Sequence, residues 1–287
     1  MKIVLVGAGS VQFGYGALGD IFSSKALSGA EITLLDINSK ALEFVLQTAK
    51  AFVQQQNLPF TVTATLDRKA AFRNADFIIT SIEIGNRFEL WDEDWKIPLQ
   101  YGVNQVYGEN GGPGGVFHAL RIGRIYLEIV KDAMDICPEA WIFNYSNPMT
   151  AICTTVKRAY PQAKFVGMCH EIGWLGRWLP RMLNMKLEDL HFTAAGLNHF
   201  SCMLELRDRN SGRDLYPEVL SKAGDFFKNE PGYSDLLDDY RRTGNLDETE
   251  RFDKGTSTKK SSYEWADRRL VQFMLDNYRL LPITTDS

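Results

Sequence analysis

The chain has 287 residues, 45% of them hydrophobic and 24% charged, with a formal net charge of −4. That is a globular composition with material for a sizeable core, in one large domain or two modest ones. The mild acidity excludes the basic excess of a nucleic-acid binder, and no apolar run approaches the roughly 20 residues of a membrane-spanning helix. Met1 to Val6 runs directly into glycines, unlike a signal peptide. Four cysteines, Cys137, Cys153, Cys169 and Cys202, lack the spacing of a disulfide framework. A reduced, cytoplasmic, enzyme-sized protein without nucleic-acid or membrane partners is expected.

In chain order, Lys2–Val6 is a short β-branched apolar run, followed by Gly7-Ala8-Gly9-Ser10 and a stretch of helical potential over Val11–Phe22. Glu31–Leu35 is a second apolar run that ends in Asp36. Phe60–Ala64, Ala75–Ser81, Ala140–Tyr145 and Lys164–Met168 read as further strands, with helices over Val116–Asp135 and Met149–Ala159 between them. Strands alternating with helical lengths predict an α/β fold, a Rossmann-like doubly wound parallel sheet covered on both faces. We expect this domain to cover 1–190. The start of a smaller α+β substrate domain is expected over 191–287, with strand pieces at Phe192–Ala195 and Cys202–Arg207. Within it, 210–260 reads as polar and turn-rich. The chain ends without a terminal helix, so the second domain is expected to be incomplete.

Gly7-x-Gly9 after the first strand is half of a dinucleotide fingerprint: one glycine makes the tight turn, the next lets backbone approach a pyrophosphate at the head of a helix. The third glycine of the strict pattern is absent, Gln12 standing there. Asp36 closes the second strand where an acid meets ribose hydroxyls, and it disfavours the 2′-phosphate of NADP. Gly7, Gly9, Ser10 and Asp36, with Ser81 and Glu83 after the strand ending near Thr80, are the expected NAD-binding residues. A plain strand–turn–helix is the alternative.

Four polar clusters follow predicted strand ends: the glycine-rich Tyr107–Gly115, Asn144–Pro148, Cys169-His170-Glu171, and Gly196–Phe200. A thiolate and an imidazole from two of them, Cys169 and His199, can hold one divalent transition ion with positions left open for substrate oxygens. Each taken alone fits a buried inert thiol or a satisfied structural histidine better than a ligand, and their placement at strand ends beside a cofactor fold narrows that difference. Trp174, Trp178 and Leu179 read either as an apolar contact face or as core.

Gly7–Ser10 (GAGS), YGENGGPGG, SNPM, the tetrad CHEI at Cys169–Ile172 and GLNHF, in that order, resemble glycoside hydrolase family 4 through nearly the whole chain. The resemblance implies a glycosidase with NAD and a divalent ion, usually Mn2+, as cofactors. NAD+ would take a hydride from carbon 3 of the sugar, a base would remove the carbon 2 proton, and the glycosidic oxygen would leave by elimination. Water addition and return of the hydride would close the cycle. By matching position, Cys169 and His199 would be metal ligands, Asn147 would bind sugar hydroxyls, and Tyr263 would be the base. His170 would be the proton donor, with Glu171 and Glu109 as other candidates. CHEI is nearest to the CHEV form of α-galacturonidases, whose carboxylate needs a cation, Arg87, Arg268 or Arg269. The family's α-galactosidases and α-glucosidases are the alternatives, and a homodimer or homotetramer is expected. Outside the family stand a hydroxyacid dehydrogenase, which has no use for a metal cysteine, and a non-catalytic NAD-binding sensor.

Overall fold

The computed structural model describes residues 1–103, 105, 108–229 and 266–283. Six strands, β1 (Lys2–Val6), β2 (Glu31–Leu35), β3 (Thr61–Thr65), β4 (Phe77–Thr80), β5 (Trp141–Asn144) and β6 (Lys164–Gly167), form one sheet. Their order is β3-β2-β1-β4-β5-β6, parallel throughout. This is the doubly wound order, with its reversal between β1 and β4. The period of two divides each central strand between two apolar layers. Ile3 and Leu5 pack with Leu18, Ile32 and Leu42 on one face. Val4 and Val6 pack with Ile78, Ile122 and Ile142 on the other. Burial of both faces explains why these strands read as continuous apolar runs.

The helices of this unit are α1 (Val11–Ser23), α2 (Ser39–Gln55), α3 (Arg68–Phe72), the first part of α4 (Arg87–Gln100), α5 (Gly112–Ile136) and α6 (Met149–Ala159). Helix α2 shows how they form. Asn38 caps it by accepting from the amide of Ala41 at 3.1 Å, and Leu42, Val45 and Ala49 are its buried face.

A second unit contains α7 (Gly173–Leu183), β7 (Leu190–Leu197), β8 (Phe200–Asp208), α8 (Tyr216–Asn229), α9 (Ala266–Tyr278) and β9 (Leu281–Pro282). The three strands form an antiparallel sheet in the order β7-β8-β9. Its core includes Leu175, Leu179, Met203, Leu206, Val219 and Leu281. Trp174 and Trp178 pack against that core rather than forming a separate face, and Trp178 meets Phe227 edge-on.

The compact units are Met1–Asp94 with Glu109–Met168, and the described residues of 95–108 with those from Cys169 on. Helix α7 belongs to the second unit because Leu175, Leu179 and Met182 share the core of β7 and β8. The unit therefore begins some twenty residues before the boundary expected from composition. The stretch expected to be turn-rich contains helix α8. Val219, Ala223 and Phe227, four residues apart, are its buried face, an apolar period hidden by polar residues between. Helix α9 likewise stands near the end of the described chain, where no helix was expected.

Candidate active site

In the first unit the β1–α1 turn is closed by contacts that leave no room for side chains. Gly7 has φ +85°, and a Cβ there would lie 2.0 Å from the carbonyl oxygen of Ser81. Asp36 accepts from the amide of Gly9 at 2.7 Å and from that of Asn38 at 2.8 Å. The acid thus braces the glycine turn and the start of α2 together. Ser10 caps α1, its hydroxyl accepting from the Phe13 amide at 3.2 Å. Gly14 takes up the work of the missing third glycine: a Cβ there would sit 2.3 Å from the carbonyl of Ala8. Gln12 at the strict position concealed this, because the fingerprint is usually counted rather than packed.

A cavity of about 410 Å3 opens beside this turn. Gly7, Ser10, Asp36, Ser81, Glu83 and Asn147 line it, with Arg87 and Glu109. Gly9 braces the turn through Asp36 rather than lining the cavity. Arg87 donates to Glu109 at 2.8 Å, and its guanidinium stands over Trp91. The strand end that carries Asn147 is locked from below. Buried Asn144 donates to the carbonyl of Ser146 at 3.0 Å and accepts from Tyr126 and Thr80. Ser146 in turn donates to the carbonyl of Ile82 and accepts from its amide, both at 2.7 Å.

His118 on α5 was not evident in the sequence, since a lone histidine inside an apolar helix carries no signal. Its Nδ1 faces the carbonyl oxygen of Glu109 at 3.2 Å, and its Nε2 faces Glu83 at 3.1 Å. A carbonyl only accepts, so Nδ1 must carry a proton, and an ionised Glu83 requires one on Nε2 as well. Burial pulls the imidazole down, but the hydrogen bond and charge of Glu83, with the carbonyl and charge of Glu109, hold it above its ordinary value. Burial likewise pushes Glu83 up, and His118, the Ile84 amide and Arg87 outweigh it to hold the carboxyl low. The sign follows for each group. The Glu83 contribution is lost as pH falls through its lowered value, and the His118 contribution is lost as pH rises through its raised one. The intact protein should therefore exceed His118→Leu in stability by about 1–3 kcal/mol near pH 6. That gap should narrow near pH 9, measured by urea denaturation at both values. A gap independent of pH would mean that packing alone is lost.

In the second unit β7 and β8 bring back the GLNHF segment. Cys169 follows β6, and its Sγ lies 3.5 Å from the Nε2 of His199. The amide of Glu171 donates to that sulfur at 3.4 Å. His199 is buried and left-handed, at φ +61°. Glu171 is buried too, its carboxylate accepting from the His199 amide at 3.0 Å, from Asn198 at 3.2 Å, and from Ser201. His170 between them is exposed. The four cysteines are free thiols. Burial pushes the thiols of Cys137, Cys153 and Cys202 up, which keeps them protonated and inert. Arg268 and Arg269 fall on α9, and Tyr263 lies outside the described residues. Among the described residues, no helix is long and apolar enough to cross a membrane, and no group of three or more His, Cys, Asp and Glu is set to hold a metal. The thiol–imidazole pair stands there as two donors.

The strand order, the braced glycine turn and its acid define a protein of the dinucleotide-binding α/β class, which in its second unit carries a sulfur–nitrogen donor pair. Residues 2–185 match the model of family 4 glycosyl hydrolase, and the chain belongs to that family. It is 57% identical over 288 residues to an alpha-glucosidase of Erwinia rhapontici, a match covering 100% of this chain and 64% of that protein. An alpha-galacturonidase of Thermoanaerobacterium saccharolyticum is 30% identical over 70% of this chain and 45% of its own. A solved 6-phospho-alpha-glucosidase from gut microorganisms, in complex with NAD and Mn2+, has a TM-score of 0.75 at 25% identity. That likeness covers 99% of this chain and 59% of that one. The chain thus spans less than two thirds of the length of each of these relatives.

Proposed function

We propose that the protein is an α-glycosidase that works with NAD and a divalent metal ion, Mn2+ foremost, on an α-glucoside. The observation that carries this reading is the thiol–imidazole pair of Cys169 and His199 at 3.5 Å, in a chain whose first turn is built as a dinucleotide cradle. Sulfur and nitrogen donors suit a divalent transition ion and leave positions for sugar oxygens. The cavity lined by Gly7, Ser10 and Asp36 suits a dinucleotide, with its pyrophosphate at the head of α1. When bound, NAD supplies a reversible hydride acceptor and the ion polarises neighbouring sugar oxygens, which makes a carbon-bound proton labile.

The chain's own residues do the rest. Asp36 meets the ribose hydroxyls and excludes a 2′-phosphate by charge. Asn147 hydrogen-bonds a sugar hydroxyl, as does Glu109, which Arg87 orients. Tyr263 takes the carbon 2 proton. His170 gives a proton to the departing glycosidic oxygen. Its exposure favours it over Glu171, whose carboxylate is already engaged by three donors. A working thiolate at Cys169 requires a reducing compartment, which favours the cytoplasm. We also take the working form to be a homodimer or homotetramer.

The identity of 57% with an alpha-glucosidase, against 30% with an alpha-galacturonidase, supports a neutral α-glucoside. A second reading, an α-galacturonide, rests on the tetrad Cys169–Ile172, with Arg87, Arg268 or Arg269 to meet the carboxylate. The test is hydrolysis of the 4-nitrophenyl α-glucoside, α-galactoside and α-galacturonide under reducing conditions, with and without NAD+ and Mn2+. Cleavage of the glucoside only when both are present is expected. Preference for the uronide would transfer the proposal to the tetrad's reading. Cleavage that needs neither addition, after dialysis against chelator and removal of nucleotide, would discard the mechanism.

A further inference from the structure

Leu197 pairs with Phe200, so β7 and β8 are joined by a turn of two residues, Asn198 and His199. Two-residue hairpin turns favour the types whose first residue is left-handed, because their twist matches that of the strands. Here only the second residue, His199, is left-handed. That is the sign pattern of a type II turn, which ordinarily places glycine at this position. A histidine in that conformation persists only where surrounding groups over-determine it.

Glu171 contributes to that hold. Buried Glu171 accepts from the His199 amide at 3.0 Å and from the Asn198 side chain at 3.2 Å through one carboxylate oxygen, and from Ser201 through the other. It thus grips the turn at both residues and the strand beyond it. The same residue's amide reaches the sulfur of Cys169 at 3.4 Å. Both members of the donor pair are therefore tied to Glu171, one by its backbone and one by its side chain. An amide N–H, a side-chain NH2 and a hydroxyl all donating to it leave the carboxylate an acceptor, with no proton directed at a ligand.

We propose that Glu171 is a positioning residue, which sets His199 opposite Cys169 and so pre-organises the metal-binding pair; the proposal rests on the metal reading given above. Outer-shell partners of this kind change metal affinity by roughly 10–100-fold when removed. A proton donor at this position would leave metal affinity alone and act on the leaving group instead.

The probe is Co2+, titrated into the full chain and followed by its thiolate charge-transfer absorption. Glu171→Ala is expected to weaken Co2+ binding about 10–100-fold and to reduce the band. Glu171→Gln keeps an acceptor for the His199 amide and offers Ser201 a donor, so its Co2+ affinity should return to within a few-fold of the intact protein. Its rate should also depend on leaving-group acidity as that of the intact protein does. If Glu171→Ala does not fold, Ser201→Ala carries the test, with a smaller weakening in the same direction. Intact protein that shows no Co2+ band overturns the metal reading and this proposal with it. Intact protein that binds Co2+, with Glu171→Ala (or Ser201→Ala in its place) binding equally well, overturns the proposal alone. So does a Glu171→Gln variant whose rate falls more steeply as the leaving group becomes less acidic.

Discussion

Cys169→Ser is expected to weaken divalent-metal binding by more than the 10–100-fold typical of an outer-shell partner, hence by at least about 100-fold. Glycoside cleavage should be lost with it, while the fold is unchanged. The thiolate is a soft, strong ligand, and a serine hydroxyl stays protonated at neutral pH and offers a poor substitute. The side chain carries little packing: Cys169 is only half-buried, and its sulfur meets His199 and the Glu171 amide. The melting temperature without metal should therefore stay within a degree or two of the parent, since substitutions outside a core usually cost less than about 0.5 kcal/mol. NAD binding, proposed for the first unit, should be retained and can be followed by calorimetry. Cys153→Ser is the contrast. Burial pushes that thiol up, and its loss should alter stability modestly and metal affinity not at all. Unchanged metal affinity in Cys169→Ser would remove the donor pair from the mechanism.

Gly7→Ala should be the most damaging single methyl in the first unit. The residue sits at φ +85°, and the added Cβ would lie 2.0 Å from the Ser81 carbonyl oxygen and 2.8 Å from its carbon. Both are backbone atoms, held where the Ser81 amide donates to Val6 at 2.9 Å. Neither strand can retreat without breaking the β1–β4 pairing at the centre of the sheet. The left-handed backbone alone costs a side chain about 1–2 kcal/mol, and the overlap raises the loss to about 3 kcal/mol or more. For a chain of this size that lowers the melting temperature by roughly 6–12 °C, and NAD affinity should fall because the turn opens. Gly19→Ala on α1 is the control, with nothing within 4 Å of the new methyl. It should be neutral or stabilising by up to about 1 kcal/mol. Equal melting temperatures for the two variants would show that the turn is looser than its contacts imply.

Much of this architecture is local in origin and legible in the sequence. β1 and β2 are runs of adjacent apolar residues buried on both faces, and such a run marks itself. The Gly7–Ser10 turn and Asp36 announce themselves by spacing. Cys169 and His199 could be nominated because each follows a recognisable segment and belongs to a motif. Helix α8 was missed for the opposite reason: its apolar residues recur at every fourth place among charges, and the composition of the stretch hides them.

The sequence by itself determined the strands, the glycine turn and its acid, because each depends on neighbours within a few residues. Only the tertiary structure decided what Asp36, Gly14, Glu171 and His118 do. Asp36 braces Gly9 across 27 residues, and Gly14 stands in for a glycine that the motif lacks. Glu171 reaches the His199 amide across 28 residues, and His118 pairs with Glu83 across 35. Hydrogen bonds and ion pairs act over about 3 Å of space and are indifferent to distance along the chain. The residues that orient a site therefore stay hidden until the fold has brought them together.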